Sequence, residues 1–227
     1  MGHPAKNIPM EFLWHMRFPG KNLTFPVYYY IVHRYRSLWL QSEKNLKGRN
    51  QIMKIVILNG SPRPNGNTQI LAEEFIRGAR EAGHETELIH LREKKIAGCL
   101  GCQYCFSHEG ECVQKDDMKG VLASLDQADM LVIASPIYWF DLTAQTKAAI
   151  DRMYARGKVG FHFHKTAMLL DSGSDHVYDA AIRMYQMMTG YLHWQDMGII
   201  TAPGMTEKGS MKHAPAMQQA YTLGKTL

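Results

Sequence analysis

Apolar and polar positions alternate in regular blocks from Met53 onward. Met53 to Leu58 is apolar except at Lys54, the pattern of a strand covered by helices on both faces. A turn of glycine, proline, serine and asparagine follows. Gln69 to Ala82 then repeats Ile70, Leu71, Phe75, Ile76 and Ala79 near one helical face. Thr86 to Leu91 reads as a weaker strand, Met118 to Ala128 as a short helix with Asp117 at its cap, and Met130 to Ala134 as a fully apolar strand. Leu142 to Arg156 has the pattern of a helix ended by Gly157, and Ala167 to Leu170 that of a strand core. Val177 to Leu192 is helical, His193 to Thr201 contains the last strand, and Ala214 to Leu223 closes as a helix before Gly224. This alternation predicts an α/β fold with an open, mostly parallel sheet, right-handed crossovers and helices on both faces. Such sheets bind ligands beyond the carboxyl ends of their strands, where strand order reverses. Three loops leave those ends: Asn59 to Asn67, Ser135 to Asp141, and Asp171 to Asp175.

Charge divides the chain of 227 residues, with its formal net +5, into two parts. Residues 1–52 carry eight Lys or Arg against two Asp or Glu, a net +6, which leaves residues 53–227 at −1. A nearly neutral folded part argues against nucleic-acid binding, which favours a basic face on the domain itself. The leader interleaves aromatic and basic residues, as in Phe25 to Arg36, without strand or helix periodicity. Its longest apolar run stops at His33, far short of the roughly 20 residues of a membrane span, and no secretory pattern is present. The expectation is a weakly ordered or peripheral extension over 1–52 and a self-contained domain over 53–227. The protein is expected in the cytoplasm, where its four cysteines stay reduced.

The first loop has the chemistry of an anion cradle. Ser61, Asn67 and Thr68 offer donors, Arg63 offers charge, and the helix that follows adds its N-terminal dipole. The loop is neither a GxGxxG fingerprint nor a Walker A motif. The second loop puts Pro136, Ile137, Tyr138 and Trp139 directly after a buried strand, an aromatic surface suited to covering a flat ring. The third, Asp171 to Asp175, is small and flexible enough to pass close to such a ring through its backbone. All four cysteines lie in one run within the loop 97–116, Cys99-x2-Cys102-x2-Cys105-x6-Cys112, close enough to wrap one metal centre. The first three match the spacing of a ferredoxin run, but Val113 stands where that run has proline. A four-thiolate zinc site and free redox-active thiols are the alternatives. His162-x-His164 is read as an ordinary loop pair or, for His162, as a lining residue of the site.

Together, Asn59-Gly-Ser-Pro-Arg63 with Asn67-Thr68, the cysteine segment ending in Asp116-Asp117-Met118, Ser135-Pro-Ile-Tyr-Trp139 and Lys147-Ala-Ala-Ile-Asp-Arg152 resemble the flavodoxin-like NAD(P)H-dependent FMN reductases. More narrowly they resemble the branch that includes the iron–sulfur flavoproteins. The resemblance spans about residues 53 to 227. It implies a flavodoxin-like sheet of five parallel strands in the order 2-1-3-4-5. FMN phosphate is then expected at Ser61, Arg63, Asn67 and Thr68, with the isoalloxazine against Pro136, Ile137, Tyr138 and Trp139 and a further contact at Ser172 and Gly173. It implies a single 4Fe-4S cluster on Cys99, Cys102, Cys105 and Cys112, and a homodimer or homotetramer in which one subunit covers the other's flavin. The expected function is an FMN-dependent oxidoreductase passing electrons from NAD(P)H to a quinone, a flavin or another small acceptor. Two alternatives stay open: an electron carrier between a ferredoxin-like donor and an oxidant, and a zinc-stabilised interaction module without flavin.

Overall fold

The computed structural model describes residues 52–227, so the expectation for the basic extension falls, apart from Ile52, outside the described residues. Strand β1 (Lys54–Asn59) lies inside the sheet, between two neighbours, and buries side chains on both faces. Val56 and Leu58 enter one apolar layer, and Ile55 and Ile57 enter the other. The period of two along a strand imposes this division. Helix α1 (Asn67–Glu81) covers the second layer with Leu71, Phe75 and Ile76. Strand β2 (Glu85–His90), the single-turn helix α2 (Tyr104–Ser107) and helix α3 (Met118–Asp126) follow. Strand β3 (Met130–Tyr138), the two-residue β4 (Asp141–Leu142) and helix α4 (Ala144–Arg152) come next. Strand β5 (Lys165–Asp171), helix α5 (Asp179–Leu192), strand β6 (Gln195–Ala202) and helix α6 (Pro215–Lys225) complete the chain.

The strands run in the order β2-β1-β3-β5-β6, all parallel, with β4 paired antiparallel to β3. With the short β4 set aside, this is the flavodoxin-like order 2-1-3-4-5. Helices α1 and α6 lie on one face, and α3, α4 and α5 on the other.

Four local expectations are corrected. β3 does not end at Ala134 but continues through Ser135, Pro136, Ile137 and Tyr138. Its ladder to β1 stops at Ala134, so Pro136 costs no hydrogen bond on that side, while pairing to β5 runs on to Asp171. Leu142 belongs to the returning strand β4, and the helix starts at Ala144. Gly224 lies inside α6 instead of ending it. A Cβ at Gly224 would fall 2.2 Å from the Phe75 carbonyl oxygen, and one at Gly78 2.1 Å from that of Tyr221. Both glycines let the backbones of α1 and α6 touch. Finally, Asp117 does not cap α3: its carboxylate accepts from the Lys95 N–H at 2.7 Å, and Asp116 accepts from the first N–H of the helix at 3.2 Å.

Candidate functional site

The carboxyl ends of β1, β3 and β5 enclose a cavity of about 180 Å³ at the point where strand order reverses. Ser61, Arg63, Asn67 and Thr68 line it from the first loop, Pro136, Ile137 and Tyr138 from β3, and Ser172 and Gly173 from the loop after β5. Of the residues expected there, Trp139 alone is absent from the lining.

The start of α1 is the chief donor surface. Gly66 stands at the cap position, so no side chain caps the helix, and its first turn has no acidic residue. The first backbone bond at this end runs from Ile70 N–H to the Gly66 carbonyl at 3.1 Å. The N–H groups of Asn67, Thr68 and Gln69 therefore have no helical partner, although all three residues are buried. Buried orphan donors at a helix start are an anion site in wait.

Two expected side-chain donors are turned to other work. The Asn67 amide gives its hydrogens to Met205 O at 3.0 Å, Glu207 O at 2.8 Å and Ser210 Oγ at 3.2 Å. The Thr68 hydroxyl donates to Asp171 Oδ1 at 2.5 Å. Ser61 Oγ accepts from the Arg63 N–H at 3.2 Å and so shapes the loop. Donation to an anion thus rests on backbone N–H groups, with Arg63 as the charge that this loop supplies.

Asp171 was not foreseen as a site residue. It ends β5 at only 5% exposure and lines the cavity. Burial pushes its carboxyl up to about 6, against the opposing pull of the Thr68 hydroxyl and the Arg63 charge. The signal for it was an acid closing an otherwise apolar strand. Asn59, buried at the end of β1, fixes the loop itself. Its Oδ1 accepts from the Ser61 N–H at 3.0 Å, and its Nδ2 meets His90 Nδ1 at 3.2 Å. Burial, and then the neighbouring Arg92, keep the His90 imidazole below its usual pKa, which preserves Nδ1 as an acceptor. Gly60 is pressed against α4. A Cβ there would lie 1.7 Å from Thr146 Oγ1, and its carbonyl accepts from Thr143 Oγ1 at 2.7 Å and Gln145 Nε2 at 2.8 Å.

Beyond Tyr138 the chain reverses through Trp139 and Phe140 to β4. Both have positive φ, 50° and 68°, as the two-residue hairpin turn requires, yet neither is glycine or asparagine. Trp139 is 93% exposed and Phe140 61%. Two large aromatics held in the left-handed region at an exposed tip carry backbone strain of the sort that accompanies function.

The cysteine loop lies apart from this cavity. Cys99 and Cys102 are exposed, Cys112 is half-buried and Cys105 is buried. Burial, aided by the other thiols, raises the Cys105 pKa. All four line one small pocket together with Arg152 and Tyr154. Among the described residues, no three His, Cys, Asp or Glu side chains gather around a point that would hold a single ion. Arg152, its side chain 1% exposed, anchors the loop by donating to both Asp116 oxygens at 2.6 and 2.9 Å and to Ala97 O at 2.9 Å. Burial opposes the charge of Asp116, but its bonds to Arg152 and to the amides of Ala97 and Met118 prevail and hold the carboxyl below its usual range. Among the described residues, Arg152 Nε is buried without a hydrogen-bond partner. His162 lies elsewhere, exposed, with its Nε2 3.6 Å from Asp129.

The sequence pattern of the NADPH-dependent FMN reductases matches residues 53–204. The chain belongs to that family. It is 34% identical over 141 residues to an iron–sulfur flavoprotein of Archaeoglobus fulgidus, covering 62% of this chain and 61% of that protein. It is 40% identical over 100 residues to an iron–sulfur flavoprotein of Methanocaldococcus jannaschii, covering 44% and 51%. The chain thus spans about half to three-fifths of the length of these curated relatives. Among solved structures it is similar to the NAD(P)H:quinone oxidoreductase from Methanothermobacter marburgensis, with a TM-score of 0.62 at 19% identity, covering 77% of this chain and 98% of that one. That likeness is one of fold.

Proposed function

We propose that this chain is an FMN-dependent oxidoreductase that takes electrons from NAD(P)H and hands them to a quinone, a free flavin or another small acceptor. The observation that carries the reading is the buried, uncapped start of α1 opening into the cavity at the strand-order switch. The donor set suits a phosphate monoester. The free N–H groups of Asn67, Thr68 and Gln69 would take its oxygens, the helix dipole favours its charge, and Arg63 adds a cation. About 180 Å³ is less than the 300 Å³ or more of a site that engulfs a whole ligand of this size. The cavity therefore suits the phosphate and sugar end, and leaves a ring system against Pro136, Ile137 and Tyr138, near Ser172 and Gly173.

Bound FMN supplies hydride acceptance and donation at its ring, and the protein contributes position and electrostatics. Tyr138, 43% exposed, offers a wall against which a flat group stacks. Pro136 and the ladder from β3 to β5 hold that wall rigid. The exposed tip of Trp139 and Phe140 is read as a second apolar surface, which meets the neighbouring subunit of a homodimer or homotetramer and screens the ring from water. No described helix is long and apolar enough to cross a membrane, and the reading keeps the protein in the cytoplasm, where nicotinamide donors are at hand.

The test is Gly66→Asp. A carboxylate at the cap position accepts from the first-turn N–H groups and stabilises the helix by a few tenths of a kcal/mol relative to glycine. It also occupies the place of the phosphate. The new Cβ would lie 3.1 Å from Arg63 Cβ and from its carbonyl oxygen, so the loop must yield by a few tenths of an ångström. The variant should stay folded in a thermal melt while FMN affinity falls by roughly tenfold or more, the worth of one or two charge-assisted hydrogen bonds. Unchanged FMN affinity in a well-folded variant would sink the placement.

A second reading, favoured by the orphan Nε of Arg152, concerns the cysteines. A cluster held by Cys99, Cys102, Cys105 and Cys112 carries net negative charge. Arg152, buried in the wall of the same pocket and within electrostatic reach of Cys112, would answer it. A bound cluster supplies single-electron transfer. This reading requires iron at about four per chain, with matching acid-labile sulfide, in protein purified without oxygen. Flavin without iron would leave the four as free thiols, or as a structural site where the same sample holds stoichiometric zinc.

A further inference from the structure

Between β6 and α6 the chain folds back over the cavity, and Met205, Thr206 and Lys208 join its lining. Three residues outside the strap, Ser172, Arg63 and Asn67, fix it. The Met205 N–H donates to Ser172 O at 2.7 Å, Arg63 Nη1 reaches Thr206 O at 3.4 Å, and the Asn67 amide supplies the rest. Besides its three donor contacts, Asn67 Oδ1 accepts from the Gly209 N–H at 2.8 Å and the Met211 N–H at 3.3 Å. A primary amide has two hydrogens and two acceptor lone pairs, so this side chain is saturated by the strap and has nothing left for a ligand. Its amide brackets Lys208, with bonds to Glu207 on one side and Gly209 on the other. Gly209, at φ 93°, makes the turn that lets both neighbours face the amide.

Lys208 itself is exposed at the cavity edge and makes no salt bridge among the described residues. The other charges there are Arg63 and Asp171, one of each sign. With one charge of each sign already there, Lys208 makes the side-chain charge around the cavity net positive.

We infer that Lys208 supplies the phosphate-specific charge of this cavity, and that Asn67 acts as a positioning residue that holds it there. The inference rests on the FMN reading above. Lys208 acts as a point charge upon a phosphate monoester, without the fork geometry of arginine. A flavin that lacks phosphate gains nothing from it.

The experiment titrates the full chain, stripped of flavin, with FMN and with riboflavin, which differ only in the phosphate. Lys208→Gln should raise the Kd for FMN by roughly tenfold, about 1.4 kcal/mol, and leave riboflavin within about twofold. It should also flatten the weakening of FMN binding by salt. Asn67→Ala keeps its backbone N–H at the helix start, yet should lose the same margin of FMN over riboflavin. The double variant should lose no more than Asn67→Ala alone, because both act through one contact. An unchanged margin in Lys208→Gln overturns the role of Lys208. Additive losses in the double variant overturn the positioning role of Asn67. Should the wild-type chain bind neither flavin, the FMN reading itself fails. Lys208→Gln alters an exposed side chain, so its result stands even if Asn67→Ala proves too unstable to purify.

Discussion

Arg152→Met should destabilise the protein by about 3–5 kcal/mol, the cost of removing one partner from a buried ion pair. Methionine keeps much of the stem packing, so the loss isolates the guanidinium. Asp116, 17% exposed at its side chain, would be left with the amides of Ala97 and Met118 as its remaining partners, and Ala97 O would lose its donor. The effect should also be local. Residues 97 to 116 should exchange amide hydrogens faster and be cut sooner by protease, because the guanidinium spans both ends of that loop. Adding Asp116→Asn to Arg152→Met should recover part of the loss, since the stranded charge is gone. Urea unfolding of the two variants measures this directly. A loss below about 1 kcal/mol would place the pair with surface salt bridges and contradict its anchoring role.

Asp171→Asn should stabilise the flavin-free protein at neutral pH by roughly 3 kcal/mol, from about two pKa units at 1.36 kcal/mol each. The sign follows from linkage. A carboxyl raised from 3.8 to about 6 by burial keeps its proton in the folded state at pH values where the unfolded chain has released it. Stability of the wild type therefore falls between about pH 4 and 6, and the full penalty stands above 6. Asparagine retains an oxygen for the Thr68 hydroxyl and has no charge to desolvate. The gain over wild type should be near zero at pH 4, grow through pH 5, and level off above pH 6.5 or so. Denaturant midpoints at four pH values test it, and a gain independent of pH would show that the carboxyl titrates normally. A buried acid kept at such a cost in a ligand cavity is typical of a site selected for chemistry over stability.

How much of this was legible in the sequence depended on the range of the contacts involved. β1 and the first loop could be read because a strand covered on both faces leaves a continuous apolar run, and a turn of glycine and proline leads straight into the period of α1. The gathering of Ser61, Arg63, Thr68, Pro136, Tyr138 and Gly173 was likewise legible. Each lies at or just beyond the carboxyl end of a parallel strand, and the fold brings those ends together. The reach of β3 was not, because Ser135-Pro136 looks like a turn until one knows that the β1 ladder has already ended at Ala134. The true use of Asn67 was hidden more deeply. Its partners lie 138 to 144 residues away, and hydrogen bonds of that range leave no periodic trace. The same holds for Arg152 and Asp116, 36 residues apart. Gly224 misled because glycine stops helices more often than it packs them, and only the carbonyl of Phe75 reveals why it sits inside α6.

The central claim is that the uncapped start of α1 holds the phosphate of a flavin. The flavin content of the full chain, purified without oxygen, tests it most directly, by absorbance and by chromatography of the cofactor released on denaturation. The account predicts two resolved flavin bands and a single FMN per chain, released intact as the monophosphate. A colourless protein that takes up no FMN when it is supplied would contradict it.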